Sequence, residues 1–148
     1  MKILVPVDGS KCSLKAVKYA AELATGLRSK SSIVVINVHD DSALYQMGSY
    51  VDPTTIEEYL IQTSQRELKG AQKILSQYKI PHNFIIEIGY VAETILQIAT
   101  KEKCDMIIMG SKGRSGIADV LLGSVSQRVS SRAKQPVLLV KEIGRAHV

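Results

Sequence analysis

Tryptophan is absent from the 148 residues, phenylalanine occurs once and cysteine twice. No apolar run exceeds four residues, as at 33–36 and 106–109, far short of the ~20 a membrane helix needs, so membrane insertion is not expected. The N-terminal apolar stretch is cut off by Asp8, too early for a secretory leader, and a cytoplasmic protein is expected. Cys12 and Cys104 lack CxxC spacing and read as structural thiols rather than zinc ligands or a disulfide. The three histidines, His39, His82 and His147, are scattered and make no metal site. Six tyrosines are the only other aromatics; with so few stacking platforms, a nucleic-acid binder is disfavoured.

What is present is an alternation of short β-branched runs with helical periods. A length near 150 residues suits one domain with a real core, expected over 1–143 with a frayed tail at 144–148. Residues 3–7, 33–38, 83–88 and 105–109, together with Val137–Val140, read as strands, the continuous apolar ones buried on both faces. Leu14, Val17, Ala21 and Ala24 recur at helical spacing after Ser10, a natural N-cap, and before Gly26. A second helix is expected to run toward Tyr78 from a capping box, Thr54 with Glu57 or Thr55 with Glu58. A third covers Val91, Ile95 and Ile98. A fourth carries Val120, Leu121, Val125 and Val129, with Asp119 at its start. Five strands and four helices in alternation predict a single α/β domain of three layers, Rossmann-like or flavodoxin-like, with a five-stranded parallel sheet.

Ligands of such sheets bind outside the carboxyl ends of the strands, where the winding reverses. Two loops there hold suitable atoms: Asp8, Gly9 and Ser10 after the first strand, and the polar glycine-rich run from Gly110 to Gly116 after the fourth. If both line one site, the strand order is 3-2-1-4-5. The second loop has glycines at 110, 113 and 116, then Gly123 and Ser124 at a helix start. Glycine lets backbone amides approach an anion closely, and a helix N-terminus adds unpaired N–H groups and a positive dipole end. Lys112 and Arg114 add charge nearby. Neither the Walker A string nor the G-x-G-x-x-G fingerprint is present. The net charge of +5 is also local. Residues 1–105 hold twelve basic and twelve acidic groups, whereas 106–148 hold seven and two.

The pattern Gly110-x2-Gly113-x9-Gly123-Ser124, following a strand and followed by Val125, resembles the ATP-binding signature of the universal stress protein family. The opening residues Ile3 to Ser10 and the closing Pro136 to Val140 are also similar to that family, in order from Lys2 to Val140. The resemblance implies an ATP-binding stress-response or regulatory protein, commonly dimeric through its last strand. It implies that Pro6, Val7 and Asp8 lie against the nucleotide, with Asp8 near the ribose and, indirectly, the Mg2+ carried by ATP. It places Val38 against adenine, and Met109, Gly110, Gly113, Gly123, Ser124 and Val125 around the ribose and phosphates.

Hydrolysis needs a positioned base beside the γ-phosphate. Beyond Asp8 none is evident, so slow turnover at most is expected, with nucleotide occupancy changing conformation or the binding of an unidentified regulatory partner. An ATPase or nucleotidyl transferase on the same fold is the alternative; no His-x-Gly-His or Ser-Gly-Gly-x-Asp-Ser string follows the first strand to support it. The short apolar edge Val137–Val140, unguarded until Lys141, predicts a homodimer.

Overall fold

Nine elements form among the residues that the computed structural model describes, namely 1–42, 46, 52–112 and 123–141. In chain order they are β1 (Lys2–Pro6), α1 (Lys11–Gly26), β2 (Ser32–His39), α2 (Pro53–Leu75), β3 (His82–Ile88), α3 (Val91–Lys101), β4 (Met106–Gly110), α4 (Ser124–Arg132) and β5 (Val137–Val140). The strands form one parallel sheet in the order β3-β2-β1-β4-β5, as the loop argument requires. The three inner strands are the buried ones, and β3 and β5, at the edges, are half-buried.

The period of two along each strand splits the interior into two cores. Ile3, Val5, Val7, Ile33, Val35 and Ile108 point to α1 and α2. Leu4, Val34, Ile36, Ile107 and Met109 point the other way, to α3 and α4. Each fully buried Val, Leu or Ile contributes roughly 1.5–3 kcal/mol of transfer free energy. This two-sided burial is why the strands read as continuous apolar runs. Among the described residues no helix is long and apolar enough to cross a membrane.

Helix starts differ from expectation at two places. The N-cap of α2 is Asp52, whose side chain accepts from the Thr54 N–H, and neither capping-box threonine takes that role. Pro53 explains the shift: its fixed φ suits the first helical position, and aspartate is a preferred cap before it. The helix ends at Leu75, short of Tyr78. The helix bearing Val125 and Val129 begins at Ser124, because Gly123 has extended dihedrals (φ −72°, ψ 159°) and forms its N-cap. Val120, Leu121 and Asp119 lie outside the described residues. Ser10 caps α1 as expected, accepting from the Ser13 N–H.

Candidate functional site

From β1 the chain winds to β2 and β3 in one direction and to β4 and β5 in the other. The expected site residues that are described lie at the carboxyl edge on either side of that reversal. Pro6, Val7 and Asp8 close β1, Val38 lies at the end of β2, Met109 and Gly110 end β4, and Gly123, Ser124 and Val125 open α4. Gly113, Arg114 and Gly116 lie outside the described residues.

Local hydrogen bonds shape the turn after β1. The Val7 N–H donates to the Ile36 carbonyl at 2.8 Å, continuing the pairing with β2. Asp8 Oδ1 accepts from the Ser10 N–H at 2.9 Å, and Gly9 turns at φ +85°, a conformation that L side chains rarely adopt. Val7 buries its side chain in the α1–α2 core, so only its backbone is available to a ligand on the other face.

Gly110 has a packing reason to be glycine. A Cβ there would lie 2.9 Å from Cys12 Sγ and 3.0 Å from the Cys12 carbonyl carbon, so the first turn of α1 sits directly on β4. Cys12 Sγ in turn lies 3.3 Å from the Val140 carbonyl, which it faces as a weak donor. Next along, the buried Ser111 anchors the ends of the glycine-rich segment. Its carbonyl accepts from the Gly123 N–H at 2.6 Å and from Ser126 Oγ at 3.0 Å, and its N–H donates to Val140.

On the α3–α4 face lies a cleft of about 420 Å³, lined by Asp40, Tyr90, Val91, Ala92, Glu93, Ser124, Val125 and Arg128. The size is within the range of small-molecule pockets. Helices α3 and α4 pack against each other and both begin at this cleft. Neither has a side-chain cap, with Tyr90 and Gly123 at the N-cap positions. The first-turn N–H groups lack intrahelical acceptors, and together with the dipole ends they favour an anion. Arg128 follows Ser124 by one helical turn and shares its face. Apolar surface comes from Val91, Ala92 and Val125. Asp40 and Glu93 supply acceptors; the Asp40 carboxyl is held below the usual carboxylate range by hydrogen bonds from Ser42. Val38 packs against the core on this same face.

The α1–α2 face of the edge is filled instead. Asn37, 1% exposed, donates from Nδ2 to the Val7 carbonyl at 2.9 Å and to Glu67 Oε1 at 3.2 Å. His39 Nε2 lies 2.5 Å from the same Glu67 oxygen. His39 is thus a paired group in a polar cluster. The cluster is built on Glu67 of α2, which sequence reasoning missed. Ser111, Ser126, Tyr90 and Arg128 were missed too. The usable signals were the Ser124–Arg128 spacing of four and the place of Tyr90 just beyond the end of β3. Among the described residues no group of three His, Cys, Asp or Glu could hold a metal ion.

A doubly wound parallel sheet with a cleft at its carboxyl edge, beside the reversal of winding, is an α/β domain of the class that binds ligands there. Comparison with known proteins makes this specific. The model of the universal stress protein family matches residues 1–141, and the chain belongs to that family. It is 36% identical over 143 residues to universal stress protein MJ0531 of Methanocaldococcus jannaschii, covering 95% of this chain and 82% of the relative. The structure of protein MJ0577 from the same organism superposes with a TM-score of 0.83 at 28% identity, over 97% of this chain and 96% of that one. A universal stress protein from Archaeoglobus fulgidus in complex with dAMP shares the fold, with a TM-score of 0.69 at 20% identity and coverage of 95% and 98%.

Proposed function

We propose that the chain binds an adenine nucleotide, ATP with its Mg2+, at the carboxyl edge of the sheet, and that occupancy changes the surface it offers to a regulatory partner. The observation that carries this reading is the cleft into which two uncapped helix N-termini and Arg128 converge beside apolar walls. Anionic phosphates suit the helix ends, and a base suits Val91, Ala92 and Val125. The family relative complexed with dAMP supports the ligand class.

In this reading Ser124 and the backbone of Gly123 and Val125 hold phosphate, with Gly110 and Gly113 along the loop. Val38 meets the base. Pro6, Val7 and Met109 contribute backbone, since Val7 and Met109 bury their side chains in the two cores. Asp8 faces the ribose and a metal that arrives with the nucleotide. No acid is assigned as a general base beside the γ-phosphate, so turnover is slow at most. The domain runs over 1–143, acts in the cytoplasm, and pairs with a second copy through β5.

Calorimetric titration with ATP and Mg2+ tests the reading. Saturable binding is expected, weakened by Ser124→Ala and Gly113→Val, together with an adenine nucleotide released from the denatured purified protein and seen by mass spectrometry. No heat at millimolar ATP, or rapid turnover abolished by Asp8→Ala, rejects it. Sedimentation showing a concentration-independent monomer rejects the dimer.

A further inference from the structure

Glu67 stands in the middle of a 23-residue helix and faces inward, its side chain 12% exposed. Three parts of the carboxyl edge meet it. Its Oε1 accepts from Asn37 Nδ2 at 3.2 Å, and the same Nδ2 holds the Val7 carbonyl at 2.9 Å. That oxygen also lies 2.5 Å from His39 Nε2, next in sequence to Val38. Its stem supports the turn after β1: a Cβ on Gly9 would lie 3.1 Å from Glu67 Cγ and 3.3 Å from its Cβ.

Asn37 makes these bonds at a cost. Both acceptors are served by Nδ2, while the buried Oδ1 has no hydrogen-bond partner among the described residues. A buried amide half-satisfied in this way is not explained by packing, which an apolar side chain would serve better. It is explained if the link from Val7 through Asn37 to Glu67 fixes the position of the strand ends.

We propose that Glu67 is a positioning residue for the nucleotide site: it touches no ligand, but sets the height of the Asp8–Gly9–Ser10 turn and the end of β2 from the face opposite the cleft. This rests on the adenine-nucleotide reading above. Glutamine in its place keeps the stem beneath Gly9 and an amide oxygen for Asn37, whereas alanine removes both. Leu68, its fully buried neighbour on α2, packs into the core and makes none of these polar links, and serves as the control for stability alone.

The test measures ATP–Mg2+ affinity of the folded full chain for wild type, Glu67→Ala, Glu67→Gln and Leu68→Ala, with the amide NMR resonances of Gly9 and Ser10 recorded without nucleotide. Expected is an affinity loss of about tenfold or more for Glu67→Ala, the scale of one charge-assisted hydrogen bond. Glu67→Gln is expected to bind within about threefold of wild type. Leu68→Ala is expected to lose stability but keep its affinity while folded. The Gly9 and Ser10 amides shift in Glu67→Ala and return toward wild type in Glu67→Gln. Equal affinity of Glu67→Ala and wild type overturns the proposal and leaves the nucleotide site standing, as does an equal affinity loss in Leu68→Ala. A wild type that binds no ATP rejects the nucleotide reading itself and the proposal with it.

Discussion

At the carboxyl edge of the sheet, the α1–α2 face is closed by bonds between protein groups, and the α3–α4 face is open. Helix length accounts for part of the difference. At 1.5 Å per residue, the 23 residues of α2 span about 34 Å, more than the roughly 26 Å of the eight-residue β2. Glu67 meets Asn37 and His39 at the end of β2, so the half of α2 that precedes it runs on past the strand ends. Helices α3 and α4, of 11 and nine residues, begin at the edge and bring their first-turn N–H groups to it. One face fixes strand ends by side-chain bonds; the other leaves backbone donors for a ligand. Substitutions on the two faces should accordingly change different observables.

The largest effect is expected where α1 meets β4. Gly110→Val puts carbon within 3.0 Å of the Cys12 backbone, which cannot yield as a side-chain tip can. Overpacking of this kind costs about 3 kcal/mol, read by urea denaturation. Gly26→Ala is its control, since a Cβ there meets nothing within 4 Å, and a change under about 1 kcal/mol is expected. Equal effects of the two would mean that α1 does not rest on the strand.

Gly110 also shows what the sequence could and could not tell. Its loop was legible as glycine-rich, but its contact with Cys12 spans 98 positions and carries no local mark. The strands were legible because burial on both faces writes a continuous apolar run, and the Ser10 cap because its signal is local. The α2 cap was misread because two local signals competed, and Asp52 with Pro53 prevails over the threonine boxes. Glu67 was illegible for a different reason. It is one of several glutamates on a long amphipathic helix, and only partners about 30 positions away distinguish it.

The α3–α4 core offers a pH test away from the cleft. Cys104, buried between α3 and β4, has its thiol pushed up from 9.0 to about 11, chiefly by desolvation. The folded state keeps the proton that the unfolded chain begins to lose at 9.0. This contribution is therefore complete below pH 9 and is lost as pH rises toward 11, at most about 3 kcal/mol in all at ~1.36 kcal/mol per unit. Denaturation midpoints followed across that window should fall in wild type and fall less steeply in Cys104→Ala. Because the thiol lies in the core rather than in the cleft, added nucleotide should leave the slope unchanged.

On the open face, affinity should change without stability. Arg128 is exposed at the cleft, and Arg128→Ala is expected to lower ATP affinity about tenfold with stability within about 0.5 kcal/mol of wild type. Calorimetry beside urea melts separates the two. A stability loss as large as that of Gly110→Val would erase the distinction between the faces.

The smallest effect has the opposite sign. Glu93 lines the same cleft and pairs with Arg132 at 3.5 Å, with both side chains well exposed, so the pair itself is worth little. Its carboxylate nevertheless stands beside the helix N-termini assigned to phosphate. In Glu93→Gln that repulsion is gone and Arg132 is released to the anion, so ATP should bind about two- to threefold more tightly at low salt. The gain should shrink as ionic strength rises and the Debye length falls to about 8 Å. A neutral nucleoside should not distinguish the variant from wild type, because without phosphate the carboxylate has no anion to repel. Weaker ATP binding by Glu93→Gln would instead mean that the carboxylate accepts hydrogen bonds from the ligand, placing the sugar hydroxyls or the base amino group at α3 and the phosphates at α4.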